Sequence, residues 1–188
     1  MNTKAEVRKQ FLDKRLKLSD EQIAILSRSV ALNLFANFQW KRDELVHVFL
    51  PIKRQNEIDT WSIIRDCWKM GLQVVVSQSD FGNGNMSHFL LNPETRLVEN
   101  KWGIPEPVDG ELVAAASINI VLVPLIAFDT NGHRIGYGKG FYDKFLSECR
   151  PDVRKIGLSF FPPADKINSE AHDVILDHCV TPDKVYSF

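Results

Sequence analysis

The sequence predicts an α/β protein, with a single domain over residues 1–188 built in three layers: a mainly parallel sheet with helices on both faces. Three observations lead there. Short apolar runs such as Val74–Val76 and Asn119–Val123 lack the alternation of a half-exposed strand, which points to a sheet buried on both sides. Helix signals fall between those runs, the order that parallel strands with crossover connections require. The 188 residues are enough for one hydrophobic core.

The elements follow from local chemistry. A charged helix is expected from about Lys4 to Arg15. Ser19-Asp-Glu-Gln22 reads as a capping box, in which the Ser19 hydroxyl and the Gln22 amide satisfy free backbone N–H groups. It opens a helix with Ile23, Leu26, Val30 and Leu34 at spacings of three and four. Leu45 to Leu50 is a strand stopped by Pro51, and Asp59 or Thr60 caps a helix carrying Trp61, Ile64, Cys67 and Trp68 on one face. Val74–Val76 and Asn119–Val123 are strands, the second stopped by Pro124. Gly140 to Cys149 reads as a helix, Lys155 to Phe160 as a strand and Val174 to Val180 as the last strand. Leu91 to Asp109, with three prolines, reads as a long loop with little regular structure, and Ser77 to Phe89 as a mobile loop beside a pocket.

Composition narrows the function. A net charge of -1 gives no broad attraction for nucleic acid or an anionic membrane, so an anion site must be local. No apolar run is long enough to span a bilayer. The opening MNTKAEVRKQ is polar, unlike a secretory signal, and the scattered Cys67, Cys149 and Cys179 suit reduced, mostly buried thiols. A cytoplasmic monomer acting on small molecules is the expectation. His172, His178 and Cys179 lie close together but lack a second ligand pair at zinc spacing, so scattered polar residues are the preferred reading.

The stretch NGHRIGYGKGFYDKF, Asn131 to Phe145, carries the chemistry. It follows a strand and precedes a helix, where α/β sheets bind ligands. Gly136, Gly138 and Gly140 let backbone N–H groups approach an anion, Lys139 adds a point charge and Arg134 a planar fork. Asp143, in the first turn of the helix, suits a Mg²⁺ ion held partly by phosphate. The residues therefore suggest a nucleotide phosphate site. The loop fits neither the Walker A nor the dinucleotide spacing, and a plain connection, with Asp143 answering the helix dipole, stays open on these residues alone. So do a non-catalytic phosphate-binding module and, by fold analogy, an isomerase or transferase acting on a sugar phosphate or CoA ester.

The longer segment VPLIAFDTNGHRIGYGKGFYDKFL, Val123 to Leu146, resembles the signature of the 5-formyltetrahydrofolate cyclo-ligase family, V-P-x-x-A-F-D followed by R-x-G-x-G-x-G-[FY]-Y-D. Lys4 and Arg8, Asn56 to Thr60, Trp102 to Pro107, and Glu170 with Asp173 agree in order, so the resemblance spans nearly the whole chain. Leu125 stands where glycine is expected. The resemblance implies ATP- and Mg²⁺-driven closure of 5-formyltetrahydrofolate to 5,10-methenyltetrahydrofolate, a step of one-carbon metabolism. It implies that Lys4 and Arg8 reach the ATP phosphates together with Arg134, Gly136, Tyr137, Gly138, Lys139, Gly140, Phe141 and Tyr142. Lys139, Arg134 and Tyr142 are then the catalytic candidates, Ile52, Glu57 and Trp102 contact the folate, and Asp173 joins Asp143 on the metal. Asp177 has no such support and is expected to be structural.

Overall fold

Two capping boxes start the chain. In the computed structural model, which describes residues 3–170 and 173–188, helix α1 (Lys4–Leu16) is capped by Thr3, whose hydroxyl accepts from the Glu6 N–H. The Glu6 carboxylate in turn accepts from the Thr3 N–H. Helix α2 (Asp20–Asn37) starts at Ser19 through the expected box with Gln22.

Strand β1 (Leu45–His47) is shorter than the expected Leu45 to Leu50. The Phe49 carbonyl accepts from the Thr60 hydroxyl at 2.6 Å instead of from a neighbouring strand. Thr60 is thus anchored to Phe49, and Asp59 Oδ1 accepts from the Trp61 N–H at the start of α3 (Trp61–Lys69). Strand β2 (Gln73–Asp80) and β3 (Asn85–Leu91) form an antiparallel hairpin where a mobile loop was expected. Its polar run, Ser77 to Asp80, has weak strand propensity, and tertiary pairing overrides it. Part of the expected loop from Leu91 to Asp109 is likewise regular: β4 (Leu97–Glu99) pairs with β5 (Pro105–Pro107). Proline is tolerated in that two-stranded ribbon, where N–H groups on the open edge need no partner.

Strand β6 (Ile120–Pro124) leads into the small hairpin β7 (Ala127–Phe128) and β8 (Arg134–Ile135). Helix α4 (Phe141–Glu148), β9 (Arg154–Leu158), β10 (His178–Val180) and β11 (Val185–Ser187) complete the chain. Strand β10 starts later than expected because the backbone before it bonds elsewhere. Val174 N–H meets Asp143, Leu176 N–H meets the Gly132 carbonyl, and Asp177 N–H meets the Lys155 carbonyl. Asp177 is structural, as expected: its carboxylate accepts from the Lys155 N–H at 2.7 Å and pairs with Lys155 Nζ at 3.1 Å.

The seven-stranded sheet has the order β11-β10-β9-β6-β1-β2-β3. Every pair from β10 to β2 is parallel, and the two outer strands are antiparallel. Alternate side chains of one strand enter different cores. Ile120 and Leu122 pack on the side of α2 and α3 with Leu34, Ile63 and Ile64; Val121 and Val123 pack with Phe145 and Leu146 of α4. Burial on both faces explains the missing alternation. Leu125, in place of glycine, fits because residue 157 is itself glycine: a Cβ there would stand 2.7 Å from the Leu125 side chain. Among the described residues no helix is long and apolar enough to cross a membrane.

The three cysteines are free thiols, Cys67 and Cys179 buried and Cys149 half-buried. His172 lies outside the described residues. His178 Nδ1 bonds to the Ser187 hydroxyl and Cys179 packs in the core.

Candidate active site

From β1 the chain turns to one side, through α3 to β2; after β6 it turns to the other, through α4 to β9. Ligands of open α/β sheets bind where the strand order reverses in this way, beyond the carboxyl ends of the strands. A cavity of about 550 Å³ opens there. Its floor takes His47, Phe49 and Leu50 from the end of β1, Ser77 and Ser79 from β2, and Pro124 from β6. The size suits a small-molecule ligand.

The glycine loop forms one wall. Gly138 and Gly140 have φ of +80° and +71°, which residues with a Cβ rarely adopt. A Cβ at Gly138 would also stand 3.3 Å from the Arg8 guanidinium, whose Nε donates to the Gly136 carbonyl at 2.8 Å. Gly140 is the N-cap of α4, and no side chain caps that end, so the first N–H groups of the helix face the cavity side unclaimed by a side chain. Lys139 is exposed on the cavity and makes no hydrogen bond or ion pair among the described residues.

The other charges are already engaged. Arg134 donates from Nη2 to Asp143 Oδ1 at 2.8 Å and from Nη1 to the Val174 carbonyl. Its fork thus holds the loop to the chain beside Asp173, rather than pointing free into the cavity. Asp143 also accepts from the Val174 N–H at 3.1 Å, which brings it to the residue following Asp173. Lys4 Nζ lies 2.6 Å from Asp173 and 3.1 Å from Glu170. Burial opposes the Lys4 charge, but the bonds to Asp173 and Glu170 outweigh it and its pKa is raised.

The same geometry bears on a metal ion. No group of three or more His, Cys, Asp or Glu side chains converges among the described residues. Two carboxylates on one rim fit a cation that completes its shell with water and phosphate oxygens, as Mg²⁺ does.

The rest of the lining is more apolar. Ile52, Ile104, Pro105 and Trp102 line it, and Phe81 lies 5.6 Å from the Trp102 ring and 5.2 Å from the Phe141 ring, between centroids. At its base Glu57 is only 6% exposed. Glu57 Oε2 accepts from the Ile52 N–H at 2.8 Å, and Oε1 accepts from the Tyr137 hydroxyl. That hydroxyl in turn accepts from Arg15 Nη2. Burial pushes the Glu57 carboxyl above its ordinary range, while Arg15, Tyr137 and the Ile52 N–H work against the shift. Burial, then the Glu57 charge, raises the Tyr142 phenol, so its proton stays on at neutral pH.

All fifteen site residues read from the sequence line this one cavity. The reading missed Phe81, His47 and Ser77, which line the cavity, and Arg15, which reaches it only through the Tyr137 hydroxyl. A signal existed for Arg15: at 100° per residue it falls within about 40° of Lys4 and Arg8 around α1. None existed for the pair His47 and His88, joined through the Ser77 hydroxyl at 2.6 and 2.9 Å. Burial lowers both imidazoles, His47 well below 6.5 and His88 to about 4. The folded chain keeps them neutral, whereas the unfolded chain protonates them below its ordinary 6.5. Their stabilisation is complete above that pH and is lost as pH falls toward 4, by on the order of 3 kcal/mol for His88 alone. Urea midpoints should drop between pH 7 and pH 5; a flat profile would mean that the imidazoles do not stay neutral in the fold.

A family model described as the 5-formyltetrahydrofolate cyclo-ligase family matches residues 1–182. The chain is 30% identical over 186 residues to a probable 5-formyltetrahydrofolate cyclo-ligase of Schizosaccharomyces pombe, covering 90% of each chain. It is 28% identical over 180 residues to the 5-formyltetrahydrofolate cyclo-ligase of Escherichia coli K12, covering 93% of this chain and 98% of that one. The structure resembles Aquifex aeolicus 5,10-methenyltetrahydrofolate synthetase with a TM-score of 0.81 and 29% identity, over 98% of this chain and 92% of that one.

Proposed function

Because the chain belongs to the 5-formyltetrahydrofolate cyclo-ligase family, whose members are ligases, we propose that it closes 5-formyltetrahydrofolate to 5,10-methenyltetrahydrofolate at the expense of ATP, releasing ADP and phosphate. One observation carries the reading. A glycine loop with Lys139 unpaired among the described residues and an apolar stretch of lining with Glu57 at its base belong to one cavity.

The formyl oxygen of the substrate is a poor leaving group. It attacks the γ-phosphorus of ATP, ADP departs, and the resulting iminium phosphate is open to attack by the N10 amine. N10 loses its proton, phosphate leaves, and the ring is closed. Phosphoryl transfer asks mainly for charge neutralisation and alignment. In this reading Lys139 and the loop N–H groups, from Gly136 to Phe141, neutralise the moving phosphoryl group. Tyr142 donates a hydrogen bond from its phenol to an oxygen at the transfer site and keeps its proton. Arg8 supports the loop from below, and Arg134 fixes the wall on which Asp143 sits. Lys4 exchanges part of its contact with Asp173 for the nucleotide. Ile52 and Trp102 enclose the folate, and Glu57 accepts from the N–H edge of its pterin. Asp143 and Asp173 would hold Mg²⁺, which when bound supplies charge compensation to the phosphates.

The test is the near-ultraviolet absorbance band of the methenyl product, followed with purified protein, 5-formyltetrahydrofolate and Mg²⁺. Product should form with ATP and not with ADP or without nucleotide. Product formed equally without ATP would remove the phosphoryl-transfer reading and favour an isomerisation.

A further inference from the structure

The side chain of Tyr137 reaches from the glycine loop to Glu57 and to Arg15 of α1. Its hydroxyl lies 2.5 Å from Glu57 Oε1, bridging 80 residues of sequence, and accepts from Arg15 Nη2, also at 2.5 Å. The Arg15 guanidinium stands over the Tyr137 ring, 5.6 Å from its centroid, and donates from Nη1 to the Leu125 carbonyl at 3.3 Å. Helix α1 therefore grips the loop twice: Arg8 at the Gly136 carbonyl and Arg15 at the Tyr137 hydroxyl. With Ile52 N–H on the other oxygen, Glu57 is fixed at both ends of its carboxylate.

We propose that Tyr137 is a positioning residue for the folate: its phenol, oriented by Arg15, aims the Glu57 carboxylate and ties it to the glycine loop. The inference rests on the reading of Glu57 as the pterin acceptor. A carboxylate on a free side chain would sample several rotamers; one clamped by a phenol and a backbone N–H presents its remaining lone pairs in one direction. The clamp also favours the ionised carboxylate, the form that accepts from N–H groups. Around Glu57 stand Arg15 from α1, Tyr137 from the loop, Tyr142 from α4 and the Ile52 N–H. Of the side chains only Arg15 brings charge, and it reaches the carboxylate through the Tyr137 hydroxyl.

The experiment titrates the folded protein with 5-formyltetrahydrofolate and, separately, with ADP, following tryptophan fluorescence, since Trp102 lines the cavity. Parent, Tyr137→Phe, Glu57→Gln and the double variant are compared. Loss of a hydrogen bond to a charged group should weaken folate binding by Tyr137→Phe about tenfold, with ADP affinity changed less than about twofold. If Tyr137 works through Glu57, the double variant binds folate no worse than Glu57→Gln alone. The acid limb of folate affinity should move to higher pH in Tyr137→Phe, because removing the hydroxyl raises the Glu57 pKa further. Parental folate affinity, additive losses in the double variant, or equal weakening of folate and ADP would each overturn the proposal. Tyr137→Met gives the same comparison if the phenylalanine variant is insoluble. Because the titrations need no turnover, a parent that binds folate but makes no product would contradict the cyclo-ligase reading while still judging Tyr137.

Discussion

Lys139→Ala should lower kcat by about 10²–10³-fold, the usual loss when one donor to a developing charge is removed. Lys139 is the exposed cation on the glycine loop, and nothing among the described residues neutralises it. Arg134, Arg8 and Lys4 each hold another part of the wall, so none is poised to replace it. The KM for the folate should stay within about threefold, since Glu57 and Trp102 are untouched. Thermal unfolding should be unchanged, because an unpaired surface side chain contributes little to stability. Steady-state kinetics beside a melting curve decide it. A variant that unfolds early, or that keeps full kcat, would show that the lysine is structural or idle.

Asp129→Ala should be the most damaging of these substitutions to the fold, costing about 3–5 kcal/mol. Asp129 has no solvent exposure. Its Oδ1 accepts from the N–H groups of Asn131 at 2.9 Å and His133 at 3.0 Å, and its Oδ2 accepts from Ile167 N–H at 2.9 Å and faces the His133 ring at 3.2 Å. Alanine leaves these donors without their acceptor, the Ile167 N–H in a buried position. The loss corresponds to a fall in Tm of ~10 °C for a chain of this size. Asp129→Asn should lose less, since one amide oxygen still accepts. Calorimetry of both variants checks the order, and an alanine variant as stable as the parent would mean that the clamp is dispensable.

What could be read from the sequence was local. The glycine loop announces itself because its acid, bases and glycines fall within ten residues, and strand, loop and helix follow in the order that anion sites need. The central strands are legible because their neighbours bury them on both faces, which leaves continuous apolar runs. The hairpin of β2 and β3 was hidden because Ser77 to Asp80 is polar and held by its partner strand, not by propensity. Strand β5 was hidden because its two prolines mimic a loop. Asp129 sits in a visible motif, yet its use as a clamp depends on Ile167, 38 residues away. The contact of Arg15, Tyr137 and Glu57 joins three segments that only the fold brings together.

The central claim is that ATP phosphorylates the formyl oxygen of the substrate. The most direct measurement uses 5-formyltetrahydrofolate carrying ¹⁸O in the formyl group, with the released phosphate analysed by mass spectrometry after one turnover. The account predicts one ¹⁸O atom in the phosphate for each methenyl product formed. Product accompanied by unlabelled phosphate would mean that the oxygen leaves as water, and phosphoryl transfer to the formyl group would be excluded.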